Sequence, residues 1–149
     1  DLAAKLKDLP TSDAWQATVK FCDDKDLKIF FNPHGKCVPL ATSKMRCHNE
    51  VNTPLGLRVQ PNSATRQPSL CAGCDCFVLD TRHAPFWEDR YLQNWISYKR
   101  AERMGVTGQF RVIKERAVQA GKLLKKIGIS IELLDQKVNL ALKEDDVTA

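Results

Sequence analysis

The residues with the most evident chemistry in this chain are six cysteines: Cys22, Cys37, Cys47, Cys71, Cys74 and Cys76. Cys71-Ala72-Gly73-Cys74 is a C-x-x-C knuckle, and its glycine permits the tight turn that lets both sulfurs face one ion. Tetrahedral zinc takes four soft or borderline ligands at about 2.0–2.3 Å, and a two-residue spacing supplies two of them from one turn. The other pair must come from elsewhere. Cys37 follows a Pro33-His34-Gly35 turn, and Cys47 stands in Arg46-Cys47-His48, both in the same irregular region as the knuckle. Cys37, Cys47, Cys71 and Cys74 are therefore the expected zinc ligands, with Cys76 and His48 as substitutes. Cys76 lies only two positions past Cys74. Cys22 sits on an apolar helical stripe and reads as a core residue. His34 and His83 read as turn and helix-entry residues.

Two other uses of the cysteines compete. A disulfide framework needs an oxidising compartment, and the opening DLAAKLKDLP is too charged, and lacks the apolar run, for an export signal. A redox C-x-x-C wants a helix directly after its first cysteine, whereas Phe77-Val78-Leu79 follows this knuckle and reads as a strand. Zinc is the expected cofactor. Four cysteine ligands close its coordination shell and leave no position for a catalytic water.

The elements that must position these residues divide the chain at about residue 83. Residues 1–9 suit a short helix ended by Pro10. Thr11 or Ser12 suits the N-cap of a second helix, with Trp15, Val19 and Phe21–Cys22 at helical spacing to about Asp24. Leu27 to Phe31 reads as a strand and Asn32-Pro33-His34-Gly35 as a turn. Residues 36–82 hold Pro39, Pro54, Pro61 and Pro68 and keep no period, a length of loop that calls for something else to order it. From Ala84 a helix with Phe86, Trp87, Tyr91, Leu92 and Trp95 runs to about Met104, with Pro85 in its first turn. Gly105 to Gly108 breaks it. Phe110, Ile113, Ala117, Ala120, Leu124 and Ile127 then recur at three- and four-residue steps, a narrow seam of coiled-coil type. Gly128 suits a C-cap and Ser130 the next N-cap, and Ile131, Leu134, Val138 and Ala141 carry the seam to about Leu142. The last residues, KEDDVTA, are expected to fray. The expected fold is mainly α, with a small irregular β-containing zinc-binding region over 1–83 and a basic helical region over 84–149, ending in a helical hairpin or one long kinked helix.

Charge follows the same division. Residues 82–126 hold eleven Lys and Arg against four Asp and Glu, whereas the tail from Ile127 holds two against five. Such asymmetry suggests an anionic partner for the middle segment, against the plainer reading of a solvated helix face. The candidates for phosphate contact are Arg90, Lys99, Arg100, Arg103, Arg111, Lys114, Arg116, Lys122 and Lys125. Asp23, Asp24 and Asp26, like Asp145 and Asp146, have no companion base and read as solvated. Phosphate-loop, dinucleotide and nucleophile-elbow motifs are missing from the sequence, so no enzyme and no small-molecule substrate is expected. No stretch approaches the ~18–20 apolar residues of a membrane span, and the expected location is cytoplasmic. Because it begins at Asp1, the chain is expected to be a piece of a longer protein or a processed product.

Several motifs in order also resemble a known family. Phe30-Phe31-Asn32-Pro33-His34-Gly35-Lys36-Cys37, Cys47, Leu70-Cys71-Ala72-Gly73-Cys74-Asp75-Cys76-Phe77-Val78 and His83-Ala84-Pro85-Phe86-Trp87 look like the cysteine-rich C-terminal region of tyrosine recombinases (phage-integrase type) from mobile genetic elements. In that region a cysteine pair and a C-x-x-C followed by an aromatic residue precede a long basic helix. The resemblance covers roughly Leu27 to Lys126 and departs from the family pattern at Cys76. It implies a segment that follows a catalytic domain and assists DNA binding or synapsis, with DNA and other recombinase subunits as partners. The catalytic set itself is not legible: none of His34, His48 and His83 has an arginine three positions on, and Tyr91 and Tyr98 sit beside Trp95 on a helix. The competing reading is a protein-interaction module, whose heptad-like helices pair with a second copy or a partner.

Overall fold

The computed structural model describes residues 16, 19–20, 23–24, 29–38, 45–48, 60–62 and 64–148. The chain forms two compact units, Asp1–His83 and Ala84–Ala149.

In the first unit, Gln16, Val19, Lys20, Asp23 and Asp24 are helical. The expected helix at 1–9, the cap at Thr11 or Ser12, and Trp15, Phe21 and Cys22 lie outside the described residues. A three-stranded antiparallel sheet follows, in the order β1 (Phe30–Asn32), β2 (Gly35–Cys37), β3 (Phe77–Val78). The first strand runs one residue beyond the expected end at Phe31. Asn32 pairs with Gly35, which makes Pro33-His34 a two-residue hairpin turn. Gly35 is needed for space: a Cβ there would overlap the Phe77 ring. The distant strand β3 joins with Lys36 opposite Val78 and Cys37 opposite Phe77, and the Val38 N–H extends the ladder to the Cys76 carbonyl at 2.8 Å. Val38 and Val78 form a small buried core with Ile29 packed against it. Residues 36–82 read as irregular, yet they also contain a one-turn helix α1 (Pro68–Cys71), with Pro68 in the first turn, and 3-10 turns at Arg46–His48 and Thr81–His83.

Successive residues of a strand point to opposite faces. Cys37 and its cross-strand partner Phe77 thus share one face, and Lys36 takes the other. Lys36 Nζ pairs with the Asp80 carboxylate, and both side chains are only 4% exposed. Asp80 also accepts the Arg82 backbone N–H at 2.9 Å, capping the 3-10 turn, and Arg82 Nη2 at 3.2 Å. Burial alone would raise the Asp80 pKa. The Lys36 and Arg82 hydrogen bonds and the nearby Lys36 charge outweigh it and hold the carboxyl below the usual range. The Asp80 N–H donates to His83 Nδ1 at 3.2 Å, and burial holds the imidazole below its ordinary pKa against the pull of the Asp80 carboxylate.

The second unit is a bundle of α2 (Ala84–Arg103), α3 (Arg111–Lys126) and α4 (Glu132–Thr148). Gly105 and Gly128 end α2 and α3 with φ of 72° and 79°, the left-handed region that favours glycine. Each end closes as a Schellman motif: Val106 N–H bonds the Ala101 carbonyl at 3.0 Å, and Ile129 N–H bonds that of Leu124 at 2.9 Å. Ser130 Oγ accepts the Glu132 N–H at 3.3 Å at the start of α4. The expected seam residues Ala117, Ala120 and Leu124 are buried, as are Leu134, Val138 and Leu142. They serve this chain's own bundle, in which α2 packs against both α3 and α4. Gly121 lets α3 approach the Tyr91 ring of α2, where a Cβ would come within 3.0 Å of Cε2.

The C-terminus differs from expectation. Of the KEDDVTA tail, Lys143 to Thr148 are helical, since α4 continues to Thr148. Arg100 grips Asp145 with two hydrogen bonds of 2.8 and 3.0 Å, and Arg103 bonds Asp146 and the Leu142 carbonyl, each at 3.1 Å. These carboxylates are therefore paired rather than merely solvated. Among the described residues no helix is long and apolar enough to cross a membrane.

Candidate metal centre

Four separate elements of the first unit bring sulfurs to one place. Cys37 ends β2, Cys47 sits in the 3-10 turn Arg46–His48, Cys71 ends α1, and Cys74 follows in the turn behind it. The knuckle is built by hydrogen bonds in sequence: Cys71 N–H to the Gln67 carbonyl at 2.9 Å, Gly73 N–H to Leu70 at 3.3 Å, and Cys74 N–H to Cys71 at 2.9 Å. The Arg46 guanidinium lies over Gly73, where a Cβ would meet it and the flexible arginine would have to shift. Cys37, Cys47, Cys71 and Cys74 all line one small cavity of about 20 Å³, with Met45, Leu70 and Phe77 as its apolar wall and Arg46 and Arg66 at its edge. Room for one water-sized sphere needs about 10–15 Å³, so the space suits a single ion. Cys37, Cys47 and Cys74 are buried and Cys71 is half-buried. No disulfide joins any two of the five described cysteines. As placed, no group of three or more His, Cys, Asp or Glu among the described residues is arranged to hold a metal ion; the four sulfurs share a cavity without closing on a common centre.

The electrostatics of the cavity separate Cys37 and Cys71 from Cys74. Burial, with the neighbouring sulfurs of Cys74, Cys47 and Cys71, pushes Cys37 up to about 12. Burial and Cys74 push Cys71 up to about 11. Cys74 goes the other way, to about 5. The Cys76 side chain hydrogen-bonds it, and the backbone N–H groups of Arg46 and Cys76 add to that against the burial. The Asn62 N–H donates to Cys47 Sγ at 3.2 Å. Backbone donors aimed at sulfur favour the thiolate, the form that binds metal. A divalent ion held by four thiolates has a net charge of −2, and the guanidiniums of Arg46 and Arg66 lie where they would balance it.

The two substitute ligands have other positions. Cys76 is almost fully buried and does not line the cavity; its side chain bonds Cys74 from the core side. His48 Nε2 donates to the Gln60 carbonyl at 2.8 Å, which commits that nitrogen. Arg46, Asn62 and Arg66 did not stand out in the sequence. Arg46 is adjacent to Cys47, but nothing in the spacing marks Asn62 or Arg66.

The nine cationic candidates of the second unit do not form one surface. Arg100 and Arg103 are held by Asp145 and Asp146. Arg90 is half-buried, with its guanidinium 5.9 Å from the Trp87 ring, and burial together with the Arg116 charge lowers its pKa. Arg116 is half-buried too. Lys99 pairs with Glu102 at 3.6 Å and lies over Trp95. Arg111 pairs with Glu115 at 3.2 Å. Lys114 lies 5.2 Å from the Tyr98 ring centre, and Lys122 and Lys125 are exposed and make no ion pair among the described residues. No family model matches the sequence, and no curated protein and no solved structure matches it.

Proposed function

We propose that this chain is a zinc-binding, DNA-contacting accessory region of a site-specific recombinase, in which Cys37, Cys47, Cys71 and Cys74 hold a structural zinc ion. The observation that supports it is the convergence of these four cysteines, from sequence positions up to 37 apart, on one ion-sized cavity. Bound there, zinc would tie β2, the Arg46–His48 turn and the knuckle together where the apolar core is small. Arg46 and Arg66 would balance the charge of the four-thiolate centre, and Cys76, Asn62 and the backbone of Arg46 would orient the sulfurs by hydrogen bonds. Such a site is structural: its four protein ligands leave no open position. The DNA-contacting part of the reading rests on the order of motifs from Phe30 to Trp87 and on the cations of the helical unit. Pairing through the seam is less favoured, because its residues Ala117, Ala120, Leu124, Leu134 and Val138 are already buried in the bundle.

The test is elemental analysis of the purified protein and of single Cys→Ser variants. About one zinc per chain is expected in the parent and in Cys76→Ser. Changes at Cys37, Cys47, Cys71 or Cys74 should each lower zinc affinity by at least about tenfold, because each removes a direct ligand and even outer-shell changes cost 10–100-fold. Equal zinc retention by all five variants would remove the assignment.

A further inference from the structure

We infer that the outer face of α3, and not the arginine-rich end of α2, is the surface that meets the phosphate backbone of duplex DNA. This inference rests on the DNA-contacting reading above and names its surface. Arg111, Lys114, Val118, Lys122 and Lys125 follow one another at steps of three, four, four and three residues, which places them on one face of the helix. All five are exposed. The opposite face, with Ala117, Ala120 and Leu124, is buried in the bundle, so α3 can meet a partner only through the cationic side. Lys114, Val118 and Lys122 line a shallow groove of about 460 Å³ with Glu115 and Gln119. Arg111 to Lys125 spans about 21 Å at ~1.5 Å per residue, long enough to meet several phosphates.

The single carboxylate in this stripe, Glu115, is already engaged by Arg111. The stripe therefore keeps the charges of Lys114, Lys122 and Lys125 for a ligand. At the end of α2 the balance is opposite: Asp145 and Asp146 occupy Arg100 and Arg103, and a phosphate would have to displace two existing ion pairs. Apart from Arg111, whose planar fork is held by Glu115, the stripe supplies point charges from flexible lysines. It fits a sequence-independent polyanion contact.

The test is binding of a fluorescently labelled DNA duplex of arbitrary sequence, measured by anisotropy at two salt concentrations. The proteins are the parent, Lys114→Gln/Lys122→Gln/Lys125→Gln and Arg100→Gln/Arg103→Gln, each checked for helicity. The parent should bind and weaken with salt. The triple variant should lose about tenfold or more in affinity at low salt, with a log–log salt slope shallower by about three, since each phosphate contact contributes about 0.9. The arginine variant should stay within about twofold of the parent. A parent that does not bind, or binds without salt dependence, removes the DNA-contacting reading and this inference with it. A parent that binds normally beside a triple variant of unchanged affinity and slope removes the inference alone, as does a loss confined to the arginine variant. Displacement of the duplex by polyglutamate as readily as by unlabelled DNA would show a surface for acidic protein and overturn the phosphate assignment.

Discussion

A chelator added to the zinc-loaded protein is expected to unfold the first unit and leave most of the helical structure of the second intact. The ground is the unequal distribution of core. Among the described residues of the first unit, the apolar core is Val38, Val78 and Ile29 together with cavity-lining residues such as Met45 and Phe77, which are buried around the four sulfurs themselves. Structural zinc contributes about 10–16 kcal/mol in small zinc modules, whereas whole domains keep only about 5–15 kcal/mol of net stability. Losing the ion therefore removes as much as, or more than, the unit possesses. The second unit has no cysteine and its own buried set from all three helices, including Trp87, Leu124 and Val138. Limited proteolysis with and without chelator checks this: cleavage should spread through residues 29–83 while a fragment of about 84–148 persists, and the helical circular dichroism should fall only modestly. Identical digestion patterns in the two conditions would contradict it.

Asp80→Ala should be the most damaging single change outside the cysteines, at about 3–5 kcal/mol of stability. Lys36 and Asp80 are both 4% exposed, and removal of the carboxylate leaves an ammonium buried without its counter-charge. The change also strips the cap from the Thr81–His83 turn, typically worth about 1 kcal/mol. The double variant Lys36→Met/Asp80→Ala should recover a large part of the loss, because two apolar side chains need no partner in a buried site. Urea denaturation of the zinc-loaded proteins reads both values. A loss under about 1 kcal/mol for Asp80→Ala, or no recovery in the double variant, would show that the pair does not hold β2 to the turn after β3.

The helical half was largely legible in the sequence because its rules are local. Gly105 and Gly128 sit where left-handed caps were needed, Ser130 caps the next helix, and Ala117, Ala120 and Leu124 form a buried stripe. Where the reading failed, the cause was an interaction across the bundle. The end of the chain read as a fraying tail, whereas Arg100–Asp145 and Arg103–Asp146, 45 and 43 positions apart in sequence, hold it against the bundle and engage two of the nine cations singled out for phosphate contact. The strand at Phe77–Val78 followed from three apolar residues in a row, but its pairing with β2 is set by distant contacts that no short pattern encodes. The same holds in the cavity. The cysteines could be grouped by residue type, since sulfur chemistry restricts their use, but Arg66 and Asn62 enter through loop geometry alone. Cys76 was the harder case: two residues from Cys74 it could serve as ligand or support; it is buried, lies outside the cavity lining and hydrogen-bonds Cys74.

The most direct test of the metal centre is X-ray absorption at the zinc edge on protein purified with its native metal content. A single shell of four sulfurs at about 2.3 Å is the expected result, with the nitrogen signature of imidazole absent from the spectrum. A purified protein without zinc, or a zinc shell with fewer than four sulfurs completed by nitrogen or oxygen, would contradict the four-cysteine site.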